Sequence, residues 1–395
     1  MPRINFTARS IEALRASYKR EEYWDDSFPG FGLRVSIDGR KSWTYFYRVN
    51  GRLRRLTIGS FPALSLADAR QRALEAQYAI TKGLDPALEK QVHRNAETFQ
   101  ELVEIYIERH AKVKKKSWKE DNRILNREFM PSLRHWKAVD VKRRDVLAIL
   151  DKIMERNSPI LANKALAIVR KVFNFAIQRD ILQLNPCWGI SAPGKTKRRD
   201  RVLNKDELQA VWGASEGEDL QTRSFYRLLI LTAQRSGELS NATWPDIDLM
   251  AGWWAIPAEK TKNGLLHRVP LSKAALKLFK ELRLHSGGSQ WVFPSPKISG
   301  PIQERKRKLL RIKILSKTEF CPHDLRRTAA SFMTSSGISR LTVSKILNHA
   351  ETSVTAIYDR HSYDREKRDA LEQWSDTLQI LVSAQPNADN FESRL

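Results

Sequence analysis

Two dipeptides, Asp38-Gly39 and Asn50-Gly51, constrain the front of this chain more than any other feature. They divide residues 30–60 into the runs FGLRVSI, SWTYFYRV and RRLTIG, each rich in β-branched and aromatic residues. Asp-Gly and Asn-Gly favour the positive φ angles of tight hairpins, so the stretch reads as a three-stranded antiparallel sheet. SLADARQRALEAQYAITKG follows as a helix, with Ser65 as N-cap, Asp68 at the capping-box position and Gly83 as stop. Arg34, Arg40, Lys41, Arg48, Arg52, Arg54 and Arg55 decorate the small sheet, with Trp43, Tyr45 and Tyr47 among them. Those aromatics either join the cations on an open face or cover the helix.

Beyond residue 95 the pattern changes. Strand signals are absent between about 95 and 188, and Thr98 with Glu101 forms a capping box opening TFQELVEIYIERH. Ser117-Trp118-Lys119-Glu120 signals another helix, a third follows Asp145, and LANKALAIVRKVFNFAIQRD is a long apolar-periodic helix ending before Asn185-Pro186. Lys112, Lys114, Lys115 and Lys116 form a basic run inside this all-helical stretch. APGKTKRRDRVL is charged, marked by Pro and Gly and without periodicity, which reads as a linker carrying Lys197, Arg198 and Arg199. Asn204 with Glu207 then caps the next helix. The expected organisation is 1–92, 93–190, a linker 191–203, 204–384 and a flexible tail 385–395. The fold class is α+β, mostly helical with small antiparallel sheets.

The formal net charge is +24, spread over the chain until the last stretch, which is net negative. That distribution suits a protein lying along a duplex with several parts rather than one with a basic tail. Cys187 and Cys321 have no metal-type spacing, so a reducing compartment without disulfides is expected. The N-terminus lacks a signal-peptide core and no apolar run approaches ~18 residues, which predicts a soluble cytoplasmic protein with no membrane role.

The reactive side chains lie in the second half, in TAQRSGEL (Arg235), TKNGLLHRVPL (Lys262), HDLRRT (His323, Arg326) and NHAETSVTAIYDRH (His349, Tyr358). The set matches what exchange at a phosphodiester requires. Two guanidiniums offer always-charged planar forks for the non-bridging oxygens, where charge builds in the transition state. A tyrosine is a weak nucleophile until cations or a base assist it. A lysine beside cations can protonate the departing oxygen. Lys262 adjoins the Asn263-Gly264 hairpin turn, and Lys260 is its rival. His323 and Arg326 share a helix face at i, i+3 near a helix N-terminus, which suits an anion. Arg327 should point elsewhere, Glu238 should orient Arg235, and Tyr363 is the fallback nucleophile. No His, Cys or carboxylate set has ligand spacing, so neither a metal nor a cofactor is expected.

With these motifs the chain resembles the tyrosine site-specific recombinases, in particular prophage and genomic-island integrases with an N-terminal arm-type DNA-binding domain. The family pattern has T-G-x-R-x-x-E-L, a hairpin lysine, H-x-x-R, L-G-H and a tyrosine nine positions later; His349 and Tyr358 keep that spacing. TAQR and LNH replace TGxR and LGH. The resemblance implies a phosphate clamp of Arg235 and Arg326, general acid Lys262, assistance from His323 and His349, and nucleophile Tyr358. It also implies a sheet that enters the major groove, a helical core-binding domain, and a last helix that docks on a neighbouring protomer or packs on its own domain. Its partners would be duplex DNA at core and arm-type sites, three further copies in a synaptic tetramer, a host DNA-bending protein and an excision factor. A type IB topoisomerase and a decayed, non-catalytic DNA-binding protein are the competing readings.

Overall fold

The computed structural model describes residues 2–195, 199–296, 299–302, 306–349 and 361–383. The chain divides into two compact units, Met1–Lys197 and Arg198–Leu395.

The first unit opens with β1 (Arg3–Ile4), α1 (Ala8–Ala13), β2 (Glu21–Asp25), β3 (Phe31–Val35), β4 (Lys41–Val49) and β5 (Arg52–Phe61). The strands form one sheet in sequence order, antiparallel except for the parallel β1–β2 pair. Asn50 and Gly51 both take positive φ, 49° and 74°, as a two-residue hairpin of this hand requires. The three expected strands are therefore present, and two more flank them. β2 reads EEYWD, poor in strand formers, and is stabilised by tertiary contacts: Glu22 pairs with both Arg34 and Arg55 across the sheet.

Alternation sorts the two faces. Phe31, Leu33, Val35, Trp43, Tyr45 and Tyr47 are buried against α2 (Leu66–Thr81), whose Ala69, Ala73 and Ala76 let the sheet approach closely. The Trp43 indole N–H donates to the Leu64 carbonyl at 2.9 Å. The aromatics among the sheet cations thus form the core, and Trp24 and Phe46 are the rings on the opposite face, 4.7 Å apart. Ser65 caps α2 by accepting from the Asp68 amide, and Gly83 ends it at φ 81°. A short helix the sequence did not announce, α3 (Pro86–Asn95), follows with Asp85 as N-cap.

Next comes the helical part: α4 (Phe99–Tyr106), continuing through a π-helical stretch (Ile107–Ala111) into α5 (Lys112–Lys114), and α6 (Trp118–Ile124), continuing through a second (Leu125–Phe129) into α7 (Met130–Leu133). α8 (Arg143–Glu155) and α9 (Pro159–Gln178) complete it. Both halves of the Thr98–Glu101 capping box form. α9 buries Val169, Val172, Phe173 and Phe175 on Phe99, Tyr106 and Phe129.

The second unit contains α10 (Lys205–Glu216), α11 (Leu220–Thr232), α12 (Ser236–Ser240), a three-stranded antiparallel sheet of β6 (Ile247–Asp248), β7 (Trp253–Ile256) and β8 (His267–Pro270), then α13 (Lys273–Leu284), α14 (Lys306–Ser316), α15 (Pro322–Ser335), α16 (Arg340–Ile346) and α17 (Asp364–Ser383). α11 is the central helix, nearly all buried, with Phe225 edge-on to Phe293. α17 lays Ala370, Leu371, Trp374 and Leu378 on the same core, and the Trp374 indole donates to the Ile230 carbonyl at 2.9 Å. These four residues pack within the helix's own unit, which is one of the two arrangements expected for it. The tail expected beyond it lies outside the described residues. No helix among the described residues is long and apolar enough to cross a membrane.

Candidate active site

The site is assembled where α11 ends, where α15 begins and where α16 ends. α11 stops at Ala233 in the left-handed conformation, φ 54° and ψ 22°. Asn348, just after α16, is also left-handed at φ 47°. These are the two positions at which TAQR and LNH depart from the family's glycines. The backbone therefore keeps the geometry that glycine adopts without strain, with asparagine the better tolerated substitute and alanine the costlier one.

The turn after Ala233 presents Arg235 as N-cap of α12. Glu238, almost fully buried, accepts from the Arg235 amide at 3.2 Å and from its Nη1 at 2.9 Å. Glu238 thus orients Arg235 as the sequence suggested. α15 starts at Pro322, placing His323 and Arg326 one turn apart. Arg326 is only 3% exposed, and its two Nη atoms donate to the Ala233 carbonyl, at 2.9 Å, and to the Leu347 carbonyl. Burial, reinforced by repulsion from Arg235, pushes its pKa down to about 10. A guanidinium held among carbonyls and beside a second guanidinium is poised for an anion.

His323 and His349 lie in the same field. Burial lowers the pKa of both, and neighbouring guanidiniums lower them further: Arg327 and Arg326 for His323, Arg326 and Arg235 for His349. Both are therefore neutral at pH 7 and able to exchange protons. Arg199, His323, Arg326, Arg327, Leu347 and His349 line one open cleft. Arg327 therefore does not point elsewhere, as its place in the sequence suggested; it shares the cleft.

Of the two hairpin lysines, Lys260 is held by Asp246 and, at 2.9 Å, by the Thr243 hydroxyl. Lys262 is exposed at the turn. Asn263 beside it donates to the Asn348 side chain at 2.8 Å, tying this loop to the segment that ends in His349. Tyr358 lies outside the described residues. The fallback Tyr363 sits at φ 55°, its carbonyl accepts from the Lys367 amide as α17 begins, and Lys345 covers its ring at 4.7 Å.

The basic residues expected to meet DNA divide sharply. Arg48, Arg52, Lys114 and Lys116 are exposed. Arg34 pairs with Glu22, Arg54 with Asp85, Arg40 with Asp38 and Lys112 with Glu108. Lys41 is 7% exposed, and its ammonium donates to the Glu12 carbonyl at 2.9 Å, so it supports the fold and does not face a ligand. Lys115 is likewise bound to the buried Asp121. Arg199 grips the wholly buried Asp324. Burial alone would raise the Asp324 carboxyl, and the bonds from Arg199 and the Cys321 amide outweigh it and hold it low. Lys197 and Arg198 lie outside the described residues.

Sequence reasoning missed Asp324, Gln234, His267 and Asn263 as parts of the site. Each is a polar residue inside or beside a reactive segment, and that adjacency was the available signal.

The fold matches solved recombinases. A lambda integrase dimer bound to a COC′ core site superimposes with TM-score 0.56 at 20% identity, covering 86% of this chain and 96% of that one. A lambda integrase tetramer bound to a Holliday junction gives 0.55 at 19% identity, covering 86% and 97%. Three family models lie end to end along the sequence: an arm DNA-binding domain at 6–93, a phage integrase central domain at 99–192 and the phage integrase family at 201–365. Prophage integrase IntZ of Escherichia coli K12 is 27% identical over 98% of this chain and 99% of its own length. The integrase of Enterobacteria phage P4 is 27% identical over 94% and 91%. The family models and the full-length relatives define a DNA strand-exchange enzyme. The chain belongs to the phage integrase family, the tyrosine recombinases, and is a site-specific recombinase.

Proposed function

We propose that the chain integrates and excises a prophage or genomic island through a 3′-phosphotyrosyl intermediate at Tyr358. The observation that carries this reading is the buried Arg326, whose hydrogen bonds go to carbonyls and which Arg235 repels, while the nearby Glu238 carboxylate is already bound to Arg235. Arg235 and Arg326 would bind the non-bridging oxygens of the scissile phosphate. The Tyr358 oxygen would attack phosphorus, the bond to the 5′ oxygen would break, and Lys262 would protonate that leaving oxygen. Lys260, already held by Asp246, is the weaker candidate for that step. Neutral His323 and His349 would assist proton movement and phosphate binding. Rejoining is the reverse attack by a 5′ hydroxyl of the partner strand, so the phosphate-bond energy is retained without ATP.

The exposed Arg48 and Arg52 of the sheet, with the paired Arg34, Arg40 and Arg54, would contact arm-type DNA. Lys112, Lys114 and Lys116 would follow the core duplex, joined by the linker cations Lys197, Arg198 and Arg199. Four protomers would act pairwise in the cytoplasm at the nucleoid, with a host DNA-bending protein and an excision factor as accessories. The test is a suicide substrate: a nicked duplex carrying the core sequence from the end of the element that encodes the chain, without divalent metal. Wild type is expected to give a covalent protein–DNA adduct and Tyr358→Phe none. An adduct that survives Tyr358→Phe overturns the assignment of the nucleophile; a bound wild type that forms none overturns the enzymatic reading.

A further inference from the structure

Helix ends leave their last carbonyls without intrahelical partners. At the end of α16, next to His349, three consecutive residues are met by side chains from elsewhere in the sequence. The Ile346 carbonyl accepts from Gln234 Nε2 at 2.9 Å and lies 3.0 Å from His267 Nε2. The Leu347 carbonyl accepts from Arg326. Asn348 is held by Asn263 at 2.8 Å. Arg326 acts on phosphate in the reading above; Gln234 and His267 have no part in it.

Both are buried, and neither placement is adventitious. Gln234 lies between the left-handed Ala233 and Arg235, and its amide nitrogen also donates to the Thr232 carbonyl at 2.8 Å. That nitrogen therefore bridges the last turn of α11 to the last turn of α16. His267 comes from β8. A carbonyl only accepts, so His267 must carry its proton on Nε2. Burial, with Lys367 adding repulsion, takes its pKa down to about 3, so the ring stays a neutral donor.

We infer that Gln234 and His267 are positioning residues of the recombination reaction, jointly fixing the Ile346 carbonyl so that His349 is held against the Arg235–Arg326 pair. The inference rests on the recombinase reading. Through Gln234 the same contact couples the Arg235 turn to the His349 segment, so the phosphate clamp and the histidine keep one geometry. A reacting group displaced by ~1 Å costs on the order of 100-fold in rate, which sets the scale of the expected effect.

The experiment compares wild type with His267→Phe, His267→Gln, Gln234→Met and the double variant His267→Phe/Gln234→Met. Single-turnover cleavage of the suicide duplex at saturating protein is measured beside duplex affinity and melting temperature. His267→Phe keeps a ring without the donor and is expected to slow cleavage about 10- to 100-fold with affinity unchanged. His267→Gln returns an N–H near the Nε2 position and is expected to restore the rate to within about threefold. The double variant should lose more than the product of the two single losses, because each single variant leaves one donor on the carbonyl. If His267→Phe melts below the assay temperature, Gln234→Met carries the same rate test. Unchanged cleavage in the single and double variants overturns the inference, as does failure of His267→Gln to recover. Absence of any adduct from wild type counts against the recombinase reading itself, which separates the two.

Discussion

The arginines of the N-terminal sheet and those of the active site carry the same charge in opposite circumstances. On the sheet, Arg34, Arg40 and Arg54 each have a carboxylate partner. At the site, Arg326 is almost fully buried, its hydrogen-bond partners are carbonyls, and Arg235 repels it. An exposed pair such as Arg40–Asp38 contributes about 0–1 kcal/mol and exchanges readily with a phosphate. Two guanidiniums that share the one nearby Glu238 carboxylate, one of them buried and bonded to carbonyls, are costly to keep, and an incoming anion removes that cost. On the proposed reading the sheet would supply affinity that salt can tune, and the site a charge that phosphate completes.

The sharpest way to break this comparison is Arg326→Lys, which keeps the charge and loses the planar fork. Cleavage of the suicide duplex should fall at least ~100-fold, about 3 kcal/mol of transition-state stabilisation. Arg54→Lys should change duplex affinity by less than ~3-fold in the same preparation. Equal losses in the two variants would remove the distinction.

Acid tests the buried, proton-free side of the site. His267 titrates at 6.5 when unfolded and at about 3 when folded. The stability this contributes is complete above pH 6.5 and is lost as pH falls toward 3, since only the unfolded chain takes up the proton. The loss is about 1.4 kcal/mol per pH unit below 6.5. Between pH 7 and pH 5 that amounts to ~2 kcal/mol, a drop of several degrees in melting temperature. His267→Gln should flatten this part of the profile, and an unchanged slope would contradict the assignment.

Smaller effects separate the cations of the sheet from one another. Lys41→Met should lower the stability of the N-terminal part by ~0.5–1.5 kcal/mol, by removing one of the two donors, Lys41 and Arg15, on the Glu12 carbonyl, and leave duplex affinity unchanged. Arg48→Ala should do the reverse: stability within ~0.5 kcal/mol, affinity reduced, and the log–log salt slope shallower by ~0.9. Denaturant melts and salt titrations of the two variants decide it. Smallest of all, Ala233→Gly should shift stability by less than ~1 kcal/mol and keep cleavage intact, because the position needs positive φ and little else.

Local signals were legible in the sequence wherever short-range chemistry decides structure. Asn50-Gly51 gave its hairpin, Ser65, Thr98 and Asn204 gave their caps, and Arg235, His323, Arg326 and His349, named from their motifs, come near one another in the fold. β2 was not legible, because EEYWD becomes a strand through its ladder with β3 and the pairs Glu22 makes with Arg34 on β3 and Arg55 on β5. Nor was the fate of Lys41, buried and bound to the distant Glu12 carbonyl, or of Lys115, half-buried and bound to Asp121 in the following helix.

What the sequence determined by itself was the inventory: which segments turn, which coil into helices, and which side chains bring phosphate chemistry. These follow from backbone preference and residue type, and both act over a few positions. Only the tertiary structure decided which of many identical charges matter. It left Arg326 among carbonyls, gave Arg54 to Asp85, and brought Gln234 and His267 to one carbonyl beside His349. Burial and pairing are properties of the space between segments, and no stretch of sequence carries that space alone.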